Sequence, residues 1–428
     1  MFRKVWIVSA PLTVIVPLVM ACTAPIVRLS FSATASEAQN SFLTPRSPST
    51  SNDSSLTASP CANVLAQRTV CVAANERALE IMSTSGLEAV TIVQDVRTGA
   101  LVAFAASQPS ALDVTTPLLP LSLSKLLLSA SWWDNRQPDS SFESTNGTAN
   151  AQNPAYRSRV SVHEMLVGGS DSAGRQMAVA LRRSIGTKAV LEDFKRYGFG
   201  QRTTSPRDET FWGELAPNWE RRLTPSAAYV SLSGETKDAE WAQALSIGET
   251  YMSVTALHVS RFLQAVGNNG LMLPPVAREE QSTPSSTKSA LSRRQLKDSI
   301  RMTERVTALR LQSAMRDTVQ RGTAKSIARA LAGTGWQIGG KTGSGTALQP
   351  KGAQIDGWFA GLIFDPQAKA RFTVVTFVRS GGYGGENAAR ISAELAHYII
   401  GEKAAISRHV KPAEVGRSVL PCFVTRCK

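Results

Sequence analysis

The chain has 428 residues, of which 47 are Lys or Arg and 33 are Asp or Glu, so its formal net charge is +14. Hydrophobic residues make up 43% of the chain, which suffices for a packed core and excludes a wholly disordered protein. The positive charge favours an anionic neighbour, such as anionic lipid or cell-wall polymer, although a basic solvated surface would look the same. A nucleic-acid partner is not predicted, because the sequence lacks a tight basic stripe interleaved with aromatic residues.

Residues 1–32 are predicted to be a signal or membrane-anchor segment. A basic start precedes an uncharged run over residues 5–27, which Arg28 ends. The end of this run, residues 18–22, resembles a bacterial lipobox with Cys22 as the acylated residue. A lipid anchor, an uncleaved membrane anchor and a cleaved signal all remain open. Each of them places the rest of the chain outside the cytoplasm, in the cell envelope.

Residues 33–60 are rich in Ser, Thr, Ala and Pro and are predicted to be a flexible linker, which leaves residues 61–428 for one globular domain. Four cysteines stand near the edges of this domain: Cys61, Cys71, Cys422 and Cys427. Outside the cytoplasm an even number of cysteines suggests disulfides, with local pairs as the simplest of three connectivities and free thiols as the alternative. No metal site is predicted, because none of the four histidines is near a cysteine.

The globular domain is predicted to begin with a helix and a β-hairpin. Residues 75–85 have a helical pattern, whereas residues 87–96 and 100–105 are strand-like. The segment 97–99 between the two strands ends in a glycine and favours a turn.

A Ser-x-x-Lys pair opens the next predicted helix, over residues 121–130, which Pro120 precedes. Ser122 and Lys125 are three residues apart and therefore share a face of this helix near its N-terminus. There the free N–H groups favour developing negative charge. A lysine buried among leucines can be neutral, and a neutral lysine can activate a serine nucleophile. The simpler alternative is a helix cap and a lysine whose amine reaches solvent.

The middle of the chain is predicted to be mainly helical. A Gly-Gly pair ends one helix before Ser170, Asp171 and Ser172, and Ser170 caps or precedes the following helix. Residues 139–153 are polar and are predicted to be a loop. The predicted helices of this region cover residues 160–167, 173–185, 190–199, 254–266 and 306–320.

The last third of the chain is rich in strands. Strands are predicted over residues 336–347, 356–364 and 370–379, and a final helix over residues 387–400. A hairpin, many helices, three strands and a helix indicate an α+β fold, in which an antiparallel sheet takes strands from both the first and last parts of the chain. The helices between them form an inserted, mainly helical subdomain.

Three short elements occur in a definite order: Ser122-x-x-Lys125, then Ser170-Asp171-Ser172, then Lys341-Thr342-Gly343. This set resembles that of the penicillin-binding protein transpeptidase domain and the related β-lactamases. The resemblance covers about residues 74–401. Further segments fall in family order: Thr98-Gly99, Pro120-Leu121, Tyr197-Gly198-Phe199-Gly200, Gly322-Thr323-Ala324 and Trp358-Phe359-Ala360-Gly361.

The resemblance implies a serine D,D-transpeptidase or carboxypeptidase that acts on peptidoglycan stem peptides and reacts with β-lactams, without a cofactor. Ser122 would attack the substrate carbonyl and Lys125 would take its proton. Ser170 would relay a proton to the leaving group. Lys341 would supply a positive field that keeps Lys125 neutral.

The resemblance also implies a substrate-binding set. Thr342, with Lys341, would hold the substrate carboxylate, and Gly343 would let the substrate approach the strand. The backbone N–H groups of Ser122 and Ser344 would form the oxyanion hole. Ser172 stands where the family has Asn, which offers both a donor and an acceptor at longer reach, so substrate positioning is in doubt. The departure of Leu121 from the family's Gly is expected to be milder.

Two further patterns compete with these assignments. Ser285 and Lys288 form a second Ser-x-x-Lys, but in a polar segment without a flanking strand or apolar helix. Residues 144–146, Ser-Thr-Asn, match the family's Ser-x-Asn sequence better than residues 170–172 do. However, they lie only 22 residues after Ser122, in the predicted loop.

Two alternative functions follow from the same resemblance. Glu214 and Asn218 have the spacing that class A β-lactamases use to activate water, although an ordinary surface loop explains them as well. A serine β-lactamase is therefore the second hypothesis. A catalytically weakened penicillin-binding sensor is the third, because of Ser172.

Overall fold

The computed structural model describes residues 72–108, 112–145, 158–199, 229–273, 299–346 and 355–409. Several sequence predictions therefore lie outside the described residues: the segment with Cys22, the linker 33–60, the four remaining cysteines, the Ser285/Lys288 pair, and Glu214 with Asn218.

A five-stranded antiparallel sheet forms the centre of the fold. Its strands are β1 (Glu88–Asp95), β2 (Leu101–Ala106), β9 (Gln337–Gly345), β10 (Asp356–Phe364) and β11 (Ala370–Arg379). They lie in the order β2-β1-β11-β10-β9. Strand β1 pairs with β11 from Glu88 opposite Arg379 to Asp95 opposite Phe372. The first and last parts of the chain thus share one sheet, which confirms the predicted α+β fold.

Helices cover both faces of this sheet. Successive side chains of a strand point to opposite faces, so the sheet contributes to two hydrophobic cores. Val93 and Val374 belong to one core, which also contains residues of the first and last helices, whereas Ile92 and Val375 belong to the other. The helices are α1 (Val72–Ser85), α2 (Ser124–Asp134), α3 (Val162–Gly168), α4 (Asp171–Arg196), α5 (Asp238–Ile247), α6 (Ala256–Gly267), α7 (Arg305–Gln320) and α8 (Asn387–His409).

Three short two-stranded sheets lie in the helical region. They are β3 (Ser141–Ser144) with β4 (Ser158–Ser161), β5 (Tyr229–Val230) with β6 (Met252–Ser253), and β7 (Leu271–Met272) with β8 (Ile300–Arg301). The prediction of a loop over residues 139–153 was wrong where β3 lies. Phe142 of β3 is buried and meets the Trp132 ring edge-on, with 5.4 Å between ring centroids. Packing thus overrides the polar composition of this segment.

Two predicted helices join into α4 across a break at Gly186. This glycine has φ 82° and ψ 156°, a backbone conformation that is not helical and that side chains with a Cβ rarely adopt. The predicted segments 173–185 and 190–199 therefore lie on the two sides of this break. Among the described residues, no helix is long and apolar enough to cross a membrane.

Candidate active site

Ser122 lies on a 3-10 turn, Leu121–Leu123, that leads directly into α2. The turn is held between the end of α5 and the edge strand β9. The Leu121 N–H donates to the Gly248 carbonyl at 3.1 Å, and the Leu121 side chain is buried. A Cβ built on Gly345 would lie only 2.7 Å from Leu121 Cδ2, so the glycine lets the turn approach β9 closely.

Leu121 itself has φ 52°, in the left-handed region. This conformation costs a residue with a Cβ about 1–2 kcal/mol, and only glycine adopts it freely. Leu in place of the family's Gly therefore carries a conformational cost that the sequence alone did not indicate.

Lys125 is fully buried, and its amine contacts three oxygen atoms. Lys125 Nζ lies 2.9 Å from Ser122 Oγ, 2.6 Å from Asp171 Oδ1 and 2.5 Å from the Ser246 carbonyl oxygen. Gly174 of α4 makes room for this side chain, since a Cβ there would lie 3.3 Å from Lys125 Cε. The amine therefore does not reach solvent, and Ser122 does not cap α2 with its side chain. Both parts of the simpler alternative for this pair fail.

Burial lowers the pKa of two lysines at this site. It lowers the pKa of Lys125 below its usual value, and the adjacent Asp171 carboxylate opposes this shift. Burial also lowers the pKa of Lys341, with a smaller contribution from the positive charge of Lys125, to about 7. At neutral pH the site can therefore exchange protons.

Lys341, Thr342 and Ser344 are carried by the edge strand β9. Lys341 is buried, and its Nζ donates to the Thr342 carbonyl at 2.8 Å. The hydroxyls of Thr342 and Thr323 are 2.6 Å apart, and Ser344 Oγ accepts from the Gly384 N–H at 2.9 Å. These contacts fix the strand residues that were predicted to bind substrate.

Gly343 has no side chain, and a Cβ there would meet the Pro120 carbonyl oxygen at 3.3 Å. The strand segment that carries it thus lies against the start of the Ser122 turn. Gly169, just before α4, leaves room for the Lys341 amine, since a Cβ built there would lie 3.8 Å from Lys341 Nζ. The start of α4 thus lies beside both buried lysines, and it contacts Lys125 directly through Asp171.

Ser170 and Ser172 face strand β3 in this structure. Ser170 caps α4 by accepting from the Ala173 N–H, and its Oγ lies 2.8 Å from Ser144 Oγ and 3.3 Å from Ser172 Oγ. Ser172 Oγ accepts from the Thr145 N–H at 2.9 Å. Residues 144 and 145 of the competing Ser-Thr-Asn pattern thus lie beside the chosen element, whereas Asn146 lies outside the described residues. The described residues of both candidate elements, 170–172 and 144–145, therefore lie side by side in the structure.

Sequence reasoning missed two contacts of Lys125. Asp171 stands between the two predicted serines, but no spacing rule indicated that it would reach the amine. The Ser246 contact comes from a backbone carbonyl at the end of α5, which residue type cannot reveal. Within the described residues no cluster of His, Cys, Asp or Glu could hold a metal ion.

Comparison with known proteins agrees with this fold. Residues 89–397 match the penicillin binding protein transpeptidase domain, and the chain belongs to that family. PbpB, a penicillin-binding protein of Mycolicibacterium smegmatis, is 25% identical over 257 residues, which cover 55% of this chain and 34% of PbpB. The chain thus spans about a third of the length of this curated relative.

Solved structures show the same fold. A peptidoglycan synthetase from Bifidobacterium adolescentis superposes with a TM-score of 0.57 at 16% identity, over 82% of this chain and 62% of that one. Penicillin binding protein 3 from Mycobacterium tuberculosis superposes with a TM-score of 0.55 at 18% identity, over 78% of this chain and 77% of that one. The latter protein has also been solved in complex with aztreonam, a β-lactam.

Proposed function

We propose that the protein is a serine D,D-transpeptidase or carboxypeptidase that acts on peptidoglycan stem peptides through an acyl-enzyme at Ser122. The observation that carries this proposal is the 2.9 Å contact between Ser122 Oγ and the buried amine of Lys125. A serine needs a base within hydrogen-bond reach, and burial supplies a lysine that can be neutral.

The proposed reaction is acyl transfer. Ser122 Oγ bonds to the substrate carbonyl carbon while its proton moves to Lys125 Nζ. The carbonyl oxygen becomes an oxyanion, which the N–H groups of Ser122 and Ser344 would stabilise. The amide C–N bond then breaks, and the leaving amine takes a proton. Water or an acceptor amine finally attacks the ester and releases Ser122.

Residues around the nucleophile have proposed supporting roles. In its protonated form the amine of Lys341 would add positive charge near Lys125, and Thr342, hydrogen-bonded to Thr323, would hold the substrate carboxylate. Ser170 would pass a proton to the leaving amine. This role is supported by its place next to Asp171, which contacts Lys125, but it requires the hydroxyl to turn away from Ser144.

The test is labelling with a fluorescent penicillin, followed by peptide mass spectrometry. We expect a slowly hydrolysed adduct on Ser122 that Ser122→Ala abolishes. Ser285→Ala removes the other Ser-x-x-Lys serine and should leave labelling intact. An adduct elsewhere would refute the assignment; rapid turnover would identify a β-lactamase, and no adduct would identify a binding protein.

Location in the cell envelope rests on residues 1–32 alone, and labelled protein in a soluble cytoplasmic fraction would refute it.

A further inference from the structure

The contacts of Lys125 restrict the direction of its lone pair. A carbonyl oxygen only accepts hydrogen bonds, and so does an ionised carboxylate. Two N–H groups of Lys125 therefore point at the Ser246 carbonyl and at Asp171 Oδ1, at 2.5 and 2.6 Å. The remaining direction of the amine faces Ser122 Oγ. In the neutral amine this direction holds the lone pair, whereas in the ammonium form it holds a third N–H that cannot accept a proton.

Asp171 differs from Ser246 because it carries a charge. It is the first residue of α4, where the helix dipole favours a carboxylate. Its Oδ1 forms an ion pair with Lys125. A carboxylate at this distance stabilises the ammonium form of its partner, and a peptide carbonyl does so much less.

We propose that Asp171 is a positioning residue with two opposed effects: it aims the lone pair of Lys125 at Ser122, and its charge retains the ammonium form that cannot accept the serine proton. This inference rests on the proposed function of Lys125 as the base. It predicts that Asp171 sets the pH above which the protein is acylated.

Other charges face the same amine. Arg175 on α4 favours the neutral form of Lys125, as does burial, whereas Glu249, which follows α5, favours the charged form. Lys341 on β9 is also close enough to interact, since the positive charge of Lys125 lowers the pKa of Lys341. Among the opposing groups Asp171 has the largest effect on the pKa of Lys125. The Asp171 side chain is 46% exposed, so solvent screens its charge.

Two substitutions separate the two effects. Asp171→Asn retains an oxygen acceptor and removes the charge, whereas Asp171→Ala removes both. Acylation by a fluorescent penicillin is measured from roughly pH 5 to 9 for each variant and the parent. In Asp171→Asn the midpoint of the profile should fall by about one pH unit, and acylation below the parent's midpoint should be about three- to tenfold faster. In Asp171→Ala the midpoint should also fall, but the plateau rate should be lower than in the parent.

Asp238→Asn is the matched control, because Asp238 is likewise the first residue of its helix and pairs with Arg183. Its profile should coincide with that of the parent. A profile of Asp171→Asn that coincides with the parent's would overturn the effect of the charge. A plateau of Asp171→Ala equal to the parent's would overturn the aiming of the lone pair.

A second readout does not depend on acylation. The ¹³Cε signal of Lys125, assigned by its loss in Lys125→Met, is titrated in the parent and in Asp171→Asn. A lower midpoint in the variant supports the proposal, and equal midpoints overturn it. If penicillin labels neither protein at any pH, the proposed function fails, while this titration still decides whether Asp171 controls the charge of Lys125.

Discussion

Leu121 combines an unfavourable backbone conformation with a buried side chain, directly before the proposed nucleophile. Its φ of 52° favours glycine, yet its side chain packs on Gly345 of β9. Burial of a leucine contributes more than the conformation costs, since removing a buried leucine side chain costs about 2–5 kcal/mol and the left-handed conformation about 1–2 kcal/mol. The packing of the turn against β9 thus keeps the strained residue in place.

This balance predicts an unusual order of stability. Leu121→Ala should lower the free energy of unfolding by about 2–5 kcal/mol. Leu121→Gly should be more stable than Leu121→Ala by about 0.5–1 kcal/mol, because glycine relieves the strain. Urea denaturation measures both. In the buried helix position Leu128 the order should be reversed, with glycine worse than alanine by about 1 kcal/mol. If glycine were less stable than alanine at Leu121 as well, the backbone of Leu121 would not be strained.

At the scale of single residues, the sequence could predict which residues carry the chemistry, but not all of their contacts. Ser122 and Lys125 could be paired because helical spacing fixes which residues share a face. The partners of Ser170 and Ser172 could not be found in this way. They depend on β3, a strand whose polar composition is typical of a loop, and which is held by its pairing with β4 and by the burial of Phe142.

Strand β9 and the glycine-rich loop after β11 depend on each other. Gly384 donates its N–H to Ser344 Oγ at 2.9 Å, and a Cβ on Gly384 would collide with the carbonyl oxygens of Trp358 and Gly343. The loop therefore lies directly on the backbone of the strand that carries the proposed substrate-binding residues.

Gly384→Ala should consequently disturb strand β9 as a whole rather than a single contact. We expect a loss of about 1–3 kcal/mol in the free energy of unfolding, because backbone atoms cannot move aside as a flexible side chain can. Penicillin acylation should also slow, because Ser344 moves with the strand. Gly234→Ala provides a control, since nothing lies within 4 Å of a Cβ built there. Equal stability and acylation in the two variants would contradict the dependence of β9 on this loop.

Elements with strong periodicity or alternation could be predicted closely. The predicted strands 356–364 and 370–379 coincide with β10 and β11, because long apolar runs bounded by turn residues have few alternatives. The 3-10 turn before α2 could not be predicted, because it depends on contacts with β9 and α5 that are distant in sequence.

On the scale of the whole molecule, buried hydroxyls join the two ends of the chain. Thr91 of β1 and Thr376 of β11 are 285 residues apart, and their Oγ1 atoms are 2.9 Å apart. Ser392 of α8 donates to the same Thr376 Oγ1 at 2.7 Å. All three side chains are fully buried, so each hydroxyl depends on protein partners. The sequence could predict that both ends share a sheet, from the order of elements, but not this polar connection inside it.

Thr376→Val retains the shape of the side chain and leaves the Ser392 hydroxyl buried without this acceptor. We expect a loss of about 1–3 kcal/mol in the free energy of unfolding. The double variant Thr376→Val/Ser392→Ala should lose less than the sum of the single variants, because the stranded hydroxyl is then removed. Strict additivity in urea denaturation would show that the two hydroxyls do not interact.

The pairing of β1 with β11 also determines when the sheet can form. During synthesis, at about 5–20 residues per second, the 285 residues between Thr91 and Thr376 take about 15–60 s to follow. An isolated hairpin is marginally stable at best, so β1 and β2 wait through this interval with the inner edge of β1 open. That edge is rich in the β-branched residues that favour aggregation when exposed. The nascent chain therefore passes through a period in which β11, its partner strand in the folded sheet, is not yet available to cover β1.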